Sequence, residues 1–205
     1  MKNKLLICAA LCAIFATSSQ AISADVDVAP ATYDWSGLYA GVYGGYTNYN
    51  STILGAGNTF SGLDFGGIVG GNYQMDQFVL GLEGDVGYTG ASGTFVAPIA
   101  HTQETGLNYA IRARAGYAID TTLLFVEGGA AWTQYKGSSG GASILDDTVM
   151  GYQIGAGVEQ AISQNVTLRF DGLYTNYGVT KNITLAPAGF DSENFTARIG
   201  VNYKF

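Results

Sequence analysis

Eight stretches of this chain alternate between apolar and polar residues with a period of two, the period of a β-strand. In the first stretch the alternate residues Leu38, Ala40 and Val42 are apolar, and the opposite phase of the eight stretches holds all four arginines. The stretches cover residues 35–49, 61–74, 78–89, 105–119, 123–136, 148–161, 166–177 and 193–205. Because alternate side chains of a strand point to opposite faces, the sequence predicts a sheet with one apolar and one charged face.

The breaks between these stretches are alternately long and short. Short polar breaks fall at residues 74–77, 119–122 and 162–165, and longer stretches rich in Gly, Ser, Thr and Asn fall at 50–60, 90–103, 137–147 and 178–192. In outer-membrane barrels the periplasmic turns are short and the extracellular loops are long. The predicted fold is therefore all-β, an eight-stranded antiparallel transmembrane up-and-down β-barrel with both chain ends in the periplasm.

Aromatic residues cluster at both ends of the apolar phase. Phe65 and Tyr73, Tyr109 and Tyr117, and Phe195 and Tyr203 are each eight residues apart. At ~3.3 Å per residue and a tilt of ~40°, this interval spans roughly 20 Å, near the height of the apolar band of such a barrel. A soluble sandwich would also alternate, with its apolar phase inside, but it has no reason to repeat the interval. The aromatic residues therefore favour two girdles at the membrane interfaces.

The first 24 residues have the three parts of a signal peptide. Lys2 and Lys4 precede an apolar run over residues 5–16, which is too short to span a bilayer, and small residues follow it. We expect cleavage after Ala21 or Ala24, a short periplasmic segment over residues 25–34 and the barrel over 35–205. Both cysteines lie in the signal peptide, so the mature chain has no disulfide or thiolate chemistry.

Charge and composition exclude several classes of function. Without Lys2 and Lys4, the chain has seven basic residues against sixteen acidic ones, which argues against a nucleic-acid partner. No cluster of metal ligands or phosphate-binding loop is found, and we expect no cofactor. His101, the only histidine, falls in the second long loop. A loop histidine is a poor member of a Ser-His-acid site, so we do not expect an enzyme, although it could serve as an axial ligand of haem.

Eleven charged residues fall in the phase that would face the barrel interior. They are Asp64, Glu83, Asp85, Arg112, Arg114, Glu127, Glu159, Arg169, Asp171, Arg198 and Lys204. Unpaired charges in a narrow interior are costly, so we expect ion pairs, for example Glu83 or Asp85 with Arg112 or Arg114. Two interpretations of this network stay open. It is either a structural core, since eight strands enclose only enough room for side chains, or the lining of a narrow solute path.

The chain resembles the small outer-membrane, porin-like immunogenic proteins of alphaproteobacteria. The resemblance rests on residues 35–42 (WSGLYAGV), 71–74 (GNYQ), 111–117 (IRARAGY), 155–159 (GAGVE) and 198–205 (RIGVNYKF). It implies an eight-stranded barrel folded by the barrel assembly machinery, with Phe205 as the assembly signal.

The function predicted from these features is that of an integral outer-membrane barrel in contact with lipid and lipopolysaccharide. Its role would be structural and at the cell surface, with a narrow, porin-like passage of solutes as a further option. The alternative is a surface protein that binds haem or a host molecule through its long loops, where residues 95–99 form a mostly apolar tip.

Overall fold

The computed structural model describes residues 33–53, 56–95, 101–139, 142–177 and 190–205. The predicted signal peptide lies outside these residues and stays a prediction. Among the described residues, no helix is long and apolar enough to cross a membrane.

The described residues form one antiparallel sheet that closes on itself. The strands are β1 (Gly37–Ile53), β2 (Ala56–Met75), β3 (Phe78–Thr89), β4 (Ser92–Phe95), β5 (His101–Ile119), β6 (Thr122–Ser139), β7 (Ala142–Ala161), β8 (Val166–Asn176) and β9 (Phe190–Lys204). Both β3 and the short β4 pair with β5, so they are consecutive pieces of one wall strand. The sheet closes where β1 pairs with β9, and the predicted eight-stranded barrel is thereby confirmed.

The register gives the tilt of the wall. The residues that lie opposite one another on successive strands around the ring are Tyr39, Gly70, Glu83, Arg112, Gly129, Gln153, Thr175, Asn194 and Tyr49. The path returns to β1 at Tyr49, ten residues beyond its start at Tyr39. A stagger of this size over eight strands tilts them by roughly 40° from the barrel axis.

The two faces of the wall have the predicted characters. On the outside, Leu38, Val42 and Leu82 are 66–68% exposed, whereas Leu123 and Leu173 on the inside are 0% exposed. Exposure of so continuous an apolar surface to water is unfavourable, so the outer face is the one that contacts lipid.

Aromatic side chains form the two predicted girdles on the outer face. Toward the long connections, Phe65 lies against Tyr88 and Tyr109 stacks on Trp132, with ring centroids 5.9 and 5.4 Å apart. At the other end, the Phe78 and Tyr117 rings are 5.5 Å apart. Tyr and Trp suit these positions because an amphipathic ring can lie between lipid and water.

The short breaks are tight turns, and we call their end of the barrel the turn end and the opposite end the loop end. Asp76 and Asp120 have φ values of 54° and 51°, the left-handed conformation that a two-residue hairpin turn requires. Asp tolerates this conformation better than most residues because its short side chain can bond to nearby backbone. These residues therefore explain why β2–β3 and β5–β6 turn so abruptly.

At the loop end the strands run further than the sequence predicted. The β1–β2 hairpin stays paired as far as Ile53 and Ala56, and β6–β7 as far as Ser139 and Ala142. His101, predicted in a loop, is instead the first residue of β5 and pairs with Phe95. Gly, Ser, Thr and Asn are typical of loops, but backbone pairing with a neighbouring strand can hold them in a sheet.

Candidate functional site

Arg112 lies at the centre of the barrel interior and is surrounded by acceptors. Its Nη2 is 2.7 Å from Glu83 Oε1 and 2.5 Å from Asp85 Oδ2. Its Nε lies 3.2 Å from Glu127 Oε2, and Nη1 donates to Gln153 Oε1 at 2.5 Å. Arg112 lies on β5 and its partners lie on β3, β6 and β7. A single guanidinium therefore links four strands of the barrel. The predicted pairing of Glu83 and Asp85 with Arg112 is present.

Arg169, on β8, completes the central layer from the opposite side of the barrel. Its Nη1 pairs with Glu83, its Nη2 donates to both oxygens of Glu127 at 2.9 and 3.0 Å, and its Nε is 2.6 Å from Asp171 Oδ2. Glu83 and Glu127 are therefore each shared by two guanidiniums. Shared, multidentate contacts of this kind are the arrangement in which a buried charge is best compensated.

A second layer lies nearer the turn end. Arg114 Nη2 pairs with Glu159 Oε2 at 2.8 Å, and its Nη1 donates to the Tyr39 hydroxyl at 3.1 Å. The other oxygen of Glu159 accepts from Thr167 at 2.5 Å and from the Asn202 amide at 2.9 Å. Both oxygens of this buried carboxylate are therefore occupied by hydrogen-bond donors.

A third layer lies toward the loop end. Arg198 Nε is 2.9 Å from Asp64 Oδ2, and its Nη1 is 3.6 Å from Asp85 Oδ1. The remaining oxygen of Asp64 accepts from the Thr89 hydroxyl at 2.9 Å and the Asn108 amide at 3.3 Å. Asp85 links this layer to the central one because its other oxygen contacts Arg112.

Aromatic rings fill the space between the charges. The guanidiniums of Arg114 and Arg169 lie 4.1 and 4.7 Å from the centroid of the Phe125 ring. Arg198 lies 4.1 Å from the centroid of the Tyr43 ring. A ring face attracts a cation, so these stacks stabilise the guanidiniums on the surfaces that carry no hydrogen bond.

Glycine makes room for the tyrosines. The Tyr39 hydroxyl reaches Glu83 Oε2, at 2.7 Å, only because its ring crosses Gly70 on the neighbouring strand. A methyl group at Gly70 would collide with that ring. Alternating Gly and Tyr across the wall therefore allow large side chains to pack into a narrow interior.

Ten of the eleven predicted interior charges lie inside the barrel, each only 1–8% exposed. They are Asp64, Glu83, Asp85, Arg112, Arg114, Glu127, Glu159, Arg169, Asp171 and Arg198. Lys204 does not join them. Its Nζ donates to the backbone oxygen of Asp34 and lies 4.4 Å from the centroid of the Tyr33 ring, because the chain before β1 meets β9 at the turn end.

Several interior groups were missed at the level of sequence. The predicted set contained only charged residues, whereas Tyr39, Tyr43, Phe125 and Gln153 each contact a guanidinium. Each falls in the inward phase, so alternation alone locates them. Their partners could not be predicted, because contacts across the interior depend on the stagger of the whole ring.

The buried interior carries more acid than base. Six carboxylates face four guanidiniums among the ten buried charges, and Asp171 Oδ1 accepts no hydrogen bond from the described residues. In the described part of the chain, no three His, Cys, Asp or Glu side chains are arranged to hold a metal ion. The chemistry that this arrangement performs is mutual charge compensation.

A small cavity lies beside the network. A cavity near the loop end is bordered by Asp64, Asp85 and Arg198 below and by Tyr49 and Tyr177 above. Its volume of about 20 Å³ has room for one or two water molecules. Tyr49 stacks on Phe60 with a centroid distance of 4.9 Å, and both rings are buried. Aromatic side chains therefore cover the charged layers at this end.

A closed barrel with a lipid-facing apolar belt, two aromatic girdles and a buried interior of ion pairs defines an integral outer-membrane protein. Residues 7–205 match the family described as outer membrane protein beta-barrel domain, and the chain belongs to that family. Its location is the outer membrane of a Gram-negative bacterium.

Curated relatives agree with this assignment. The 25 kDa outer-membrane immunogenic protein of Brucella melitensis is 32% identical over 222 aligned residues, which cover 100% of this chain and 99% of that protein. The 22 kDa outer membrane protein of Rhizobium leguminosarum bv. viciae is 35% identical over 176 residues, covering 83% of this chain and 78% of that protein. The predicted resemblance to alphaproteobacterial immunogenic barrels is confirmed, and these relatives are named as membrane proteins rather than enzymes.

Two solved structures share the fold. The attachment invasion locus protein Ail of Yersinia pestis matches with a TM-score of 0.50 and 18% identity, covering 83% of this chain and 99% of that one. Neisserial surface protein A matches with a TM-score of 0.50 and 17% identity, covering 83% and 98%. At this identity the likeness concerns the barrel architecture alone.

Proposed function

We propose that this protein is a structural barrel of the outer membrane, which supports the integrity of the membrane and its surface, and that its interior charges form a core rather than a pore. The observation that carries the proposal is the central layer. Glu83 and Glu127 are each shared by Arg112 and Arg169, which reach them from opposite sides of the barrel. Side chains that bridge the interior in this way occupy the space that a solute path would need, which supports a core.

The network suits a stabilising role for an energetic reason. A charge buried alone costs several kcal/mol, so each carboxylate and guanidinium depends on partners from other strands. Arg112 on β5 and Arg169 on β8 together contact acceptors on β3, β6, β7 and β8. The interior therefore favours one register of the wall over the alternatives.

The same proposal covers the rest of the chain. Residues 1–24 would be removed as a signal peptide, after Ala21 or Ala24, and the barrel assembly machinery would recognise Phe205 as the assembly signal. The Phe205 side chain is 76% exposed on the lipid side, where a recognition signal is accessible. The protein would contact lipid and lipopolysaccharide and would have no catalytic role.

Conductance tests the core against the pore. The refolded mature protein, with folding verified by its heat-modifiable migration in SDS gels, is inserted into a planar bilayer beside the Arg112→Ala variant. Leu82→Ala, a change on the lipid face, is the control for handling. We expect the unmodified protein and Leu82→Ala to be silent. Discrete conductance steps from the unmodified protein that change with Arg112→Ala would instead identify a narrow, porin-like passage.

A surface-binding role is the second candidate, and the extended hairpins favour it. Seven residues of β1 continue past the girdle residue Tyr46 to Ile53, still paired with β2. At ~3.3 Å per residue and a tilt of ~40°, they rise roughly 18 Å above the girdle, an accessible position for contact with haem or a host molecule.

Complementation in cells separates the two roles. We expect a strain without this protein to take up the hydrophobic dye N-phenylnaphthylamine several-fold faster, and we expect His101→Ala to restore the barrier as fully as the unmodified gene. Unchanged uptake in the deletion strain would contradict the structural role. A folded His101→Ala protein that fails to restore the barrier would favour the loop-mediated role.

A further inference from the structure

The residues before β1 fold into the barrel at its turn end. Tyr33 and Trp35 are 5% and 2% exposed, and their rings meet edge to face with centroids 4.7 Å apart. They pack in one apolar cluster with Val79, Ala118, Leu123 and Phe125. Trp35, predicted to open the first strand, therefore lies outside the wall strand and inside the mouth of the barrel.

Polar contacts fix this segment to the wall. The Trp35 backbone N–H donates to Gln74 Oε1 at 2.7 Å, and the Gln74 N–H donates in return to Ser36 Oγ at 3.1 Å. The Ser36 N–H donates to Asp34 Oδ1 at 2.8 Å, which holds the pKa of that carboxyl below its ordinary value. Lys204 contacts both the Asp34 backbone oxygen and the Tyr33 ring.

The pocket that holds the segment is assembled from distant parts of the ring. Gln74 lies on β2, Val79 on β3, Ala118 on β5, Leu123 on β6 and Lys204 on β9. No single hairpin presents these five groups together. The pocket is therefore complete only when strands from both ends of the chain are assembled in the wall.

Phe125 connects the segment to the charged interior. One side of its environment is the apolar cluster that contains Trp35, and its ring also carries the Arg114 and Arg169 guanidiniums. The apolar cluster therefore packs against the ion-paired guanidiniums nearest the turn end. Water that entered from this side would reach Arg114 and Glu159 first.

We propose that residues 33–36 are a plug that binds in cis to the turn-end mouth of the closed barrel and excludes water from the charged interior. The occupant of the mouth is the chain's own aromatic segment, held by apolar contact and by hydrogen bonds to Gln74 and Lys204. Tyr33 Oη and Trp35 Nε1 are buried without a hydrogen-bond partner among the described residues. Their desolvation weakens the docking, so the plug opens before the barrel unfolds.

The two tryptophans of the chain make the plug measurable, because Trp35 lies in it and Trp132 lies in the outer girdle. Trp132→Phe leaves Trp35 as the single reporter, and Trp35→Phe leaves Trp132. In refolded vesicles, we expect Trp35 to be quenched at least five-fold less by acrylamide than N-acetyltryptophanamide, and to resist brominated lipid. Trp132 should be quenched by brominated lipid. Trp35 quenched by acrylamide like the free model compound would overturn the proposal.

A second variant tests the docking itself. In the Trp132→Phe background, Gln74→Ala removes the acceptor of the Trp35 N–H, and Leu80→Ala on the outer face is its matched control. We expect Gln74→Ala to raise acrylamide quenching of Trp35 two-fold or more while the heat-modifiable band is retained, and Leu80→Ala to leave it unchanged. Equal quenching in the two variants would contradict a specifically docked plug.

Denaturant titration tests the order of opening. Trp35 should become accessible to acrylamide at a lower urea concentration than the one that abolishes the heat-modifiable band, and coincident transitions would refute early opening. These readouts report the surroundings of Trp35 and not ion flow. Silent barrels in which Trp35 is quenched like the free model compound would overturn the plug and leave the structural role. Conducting barrels in which Trp35 stays shielded would overturn the structural role and the exclusion of water, and would leave only the docking of the segment.

Discussion

Among single residues, the interior acids differ in how many partners they have. Glu83 pairs with Arg112 at 2.7 Å, with Arg169, and with Arg114 at 3.9 Å, and it accepts a hydrogen bond from Tyr39. Asp171 pairs with Arg169 alone among the described residues. Six buried carboxylates face four guanidiniums among the described residues, so removing the charge of an acid that pairs with one guanidinium costs less than removing that of an acid that pairs with three.

Neutralising these two acids tests that difference. Glu83→Gln should lower the free energy of unfolding by ~3–5 kcal/mol, because three guanidiniums lose a shared partner. Asp171→Asn should cost no more than ~2 kcal/mol, because one ion pair becomes a hydrogen bond. Urea titrations of the refolded proteins in lipid vesicles measure both values. Equal losses would show that the number of guanidinium partners does not determine how much a buried acid contributes to stability.

At the level of strands, the packing of tyrosine against glycine links β1 to β2 and β3. Tyr39 crosses Gly70, and Tyr43 crosses Gly66 and Gly87, so that both hydroxyls reach acids on β3. Glycine weakens an isolated strand, but here its missing side chain admits a ring that binds in the interior. Gly44 lies on the outer face, and a Cβ added there would have no described heavy atom within 4 Å.

The pair Gly70 and Gly44 gives a matched experiment on one methyl group. Gly70→Ala should destabilise the barrel by ~1–3 kcal/mol, because the methyl group collides with the Tyr39 ring. Gly44→Ala should be neutral or stabilise by up to ~1 kcal/mol, because it restricts only the unfolded chain. Unfolding midpoints in vesicles compare them. A loss at Gly44 as large as that at Gly70 would rule out the packing explanation.

Across the whole molecule, apolar and charged residues are distributed in the opposite way to a soluble protein. The outer belt of the barrel is apolar, with Leu82 66% exposed, and its centre holds fully buried Arg112 and Arg169. Leu82 lies between the girdle residues Phe78 and Tyr88 of the same strand, near the middle of the membrane. Asn48 is also exposed but lies beyond the girdle residue Tyr46.

Arginine scanning at two depths checks this orientation. Leu82→Arg should cost ~2–4 kcal/mol of unfolding free energy in vesicles, because the charge would lie near the bilayer midplane. Asn48→Arg should cost ~0–1 kcal/mol, because the membrane surface accommodates the charge. Similar costs at the two positions would mean that the apolar belt does not face lipid.

The amino-acid sequence alone determined the class of fold, the two faces of the wall and the positions of the girdles. These features follow from a local rule, since alternation with a period of two assigns each side chain to a face whatever its neighbours are. The ten buried charges were found in this way. The lengths of the hairpins at the loop end were not, because strand pairing there extends through residues typical of loops.

Tertiary structure alone decided which residues of non-adjacent strands meet inside. Arg169 reaches Glu83, 86 positions away in the chain, because the ring closes with its particular stagger, which no segment of sequence contains. The plug is a second case, since its pocket needs five strands. Trp35 continued the pattern of β1 in sequence, yet it lies in the mouth because the closed barrel offers an apolar pocket there.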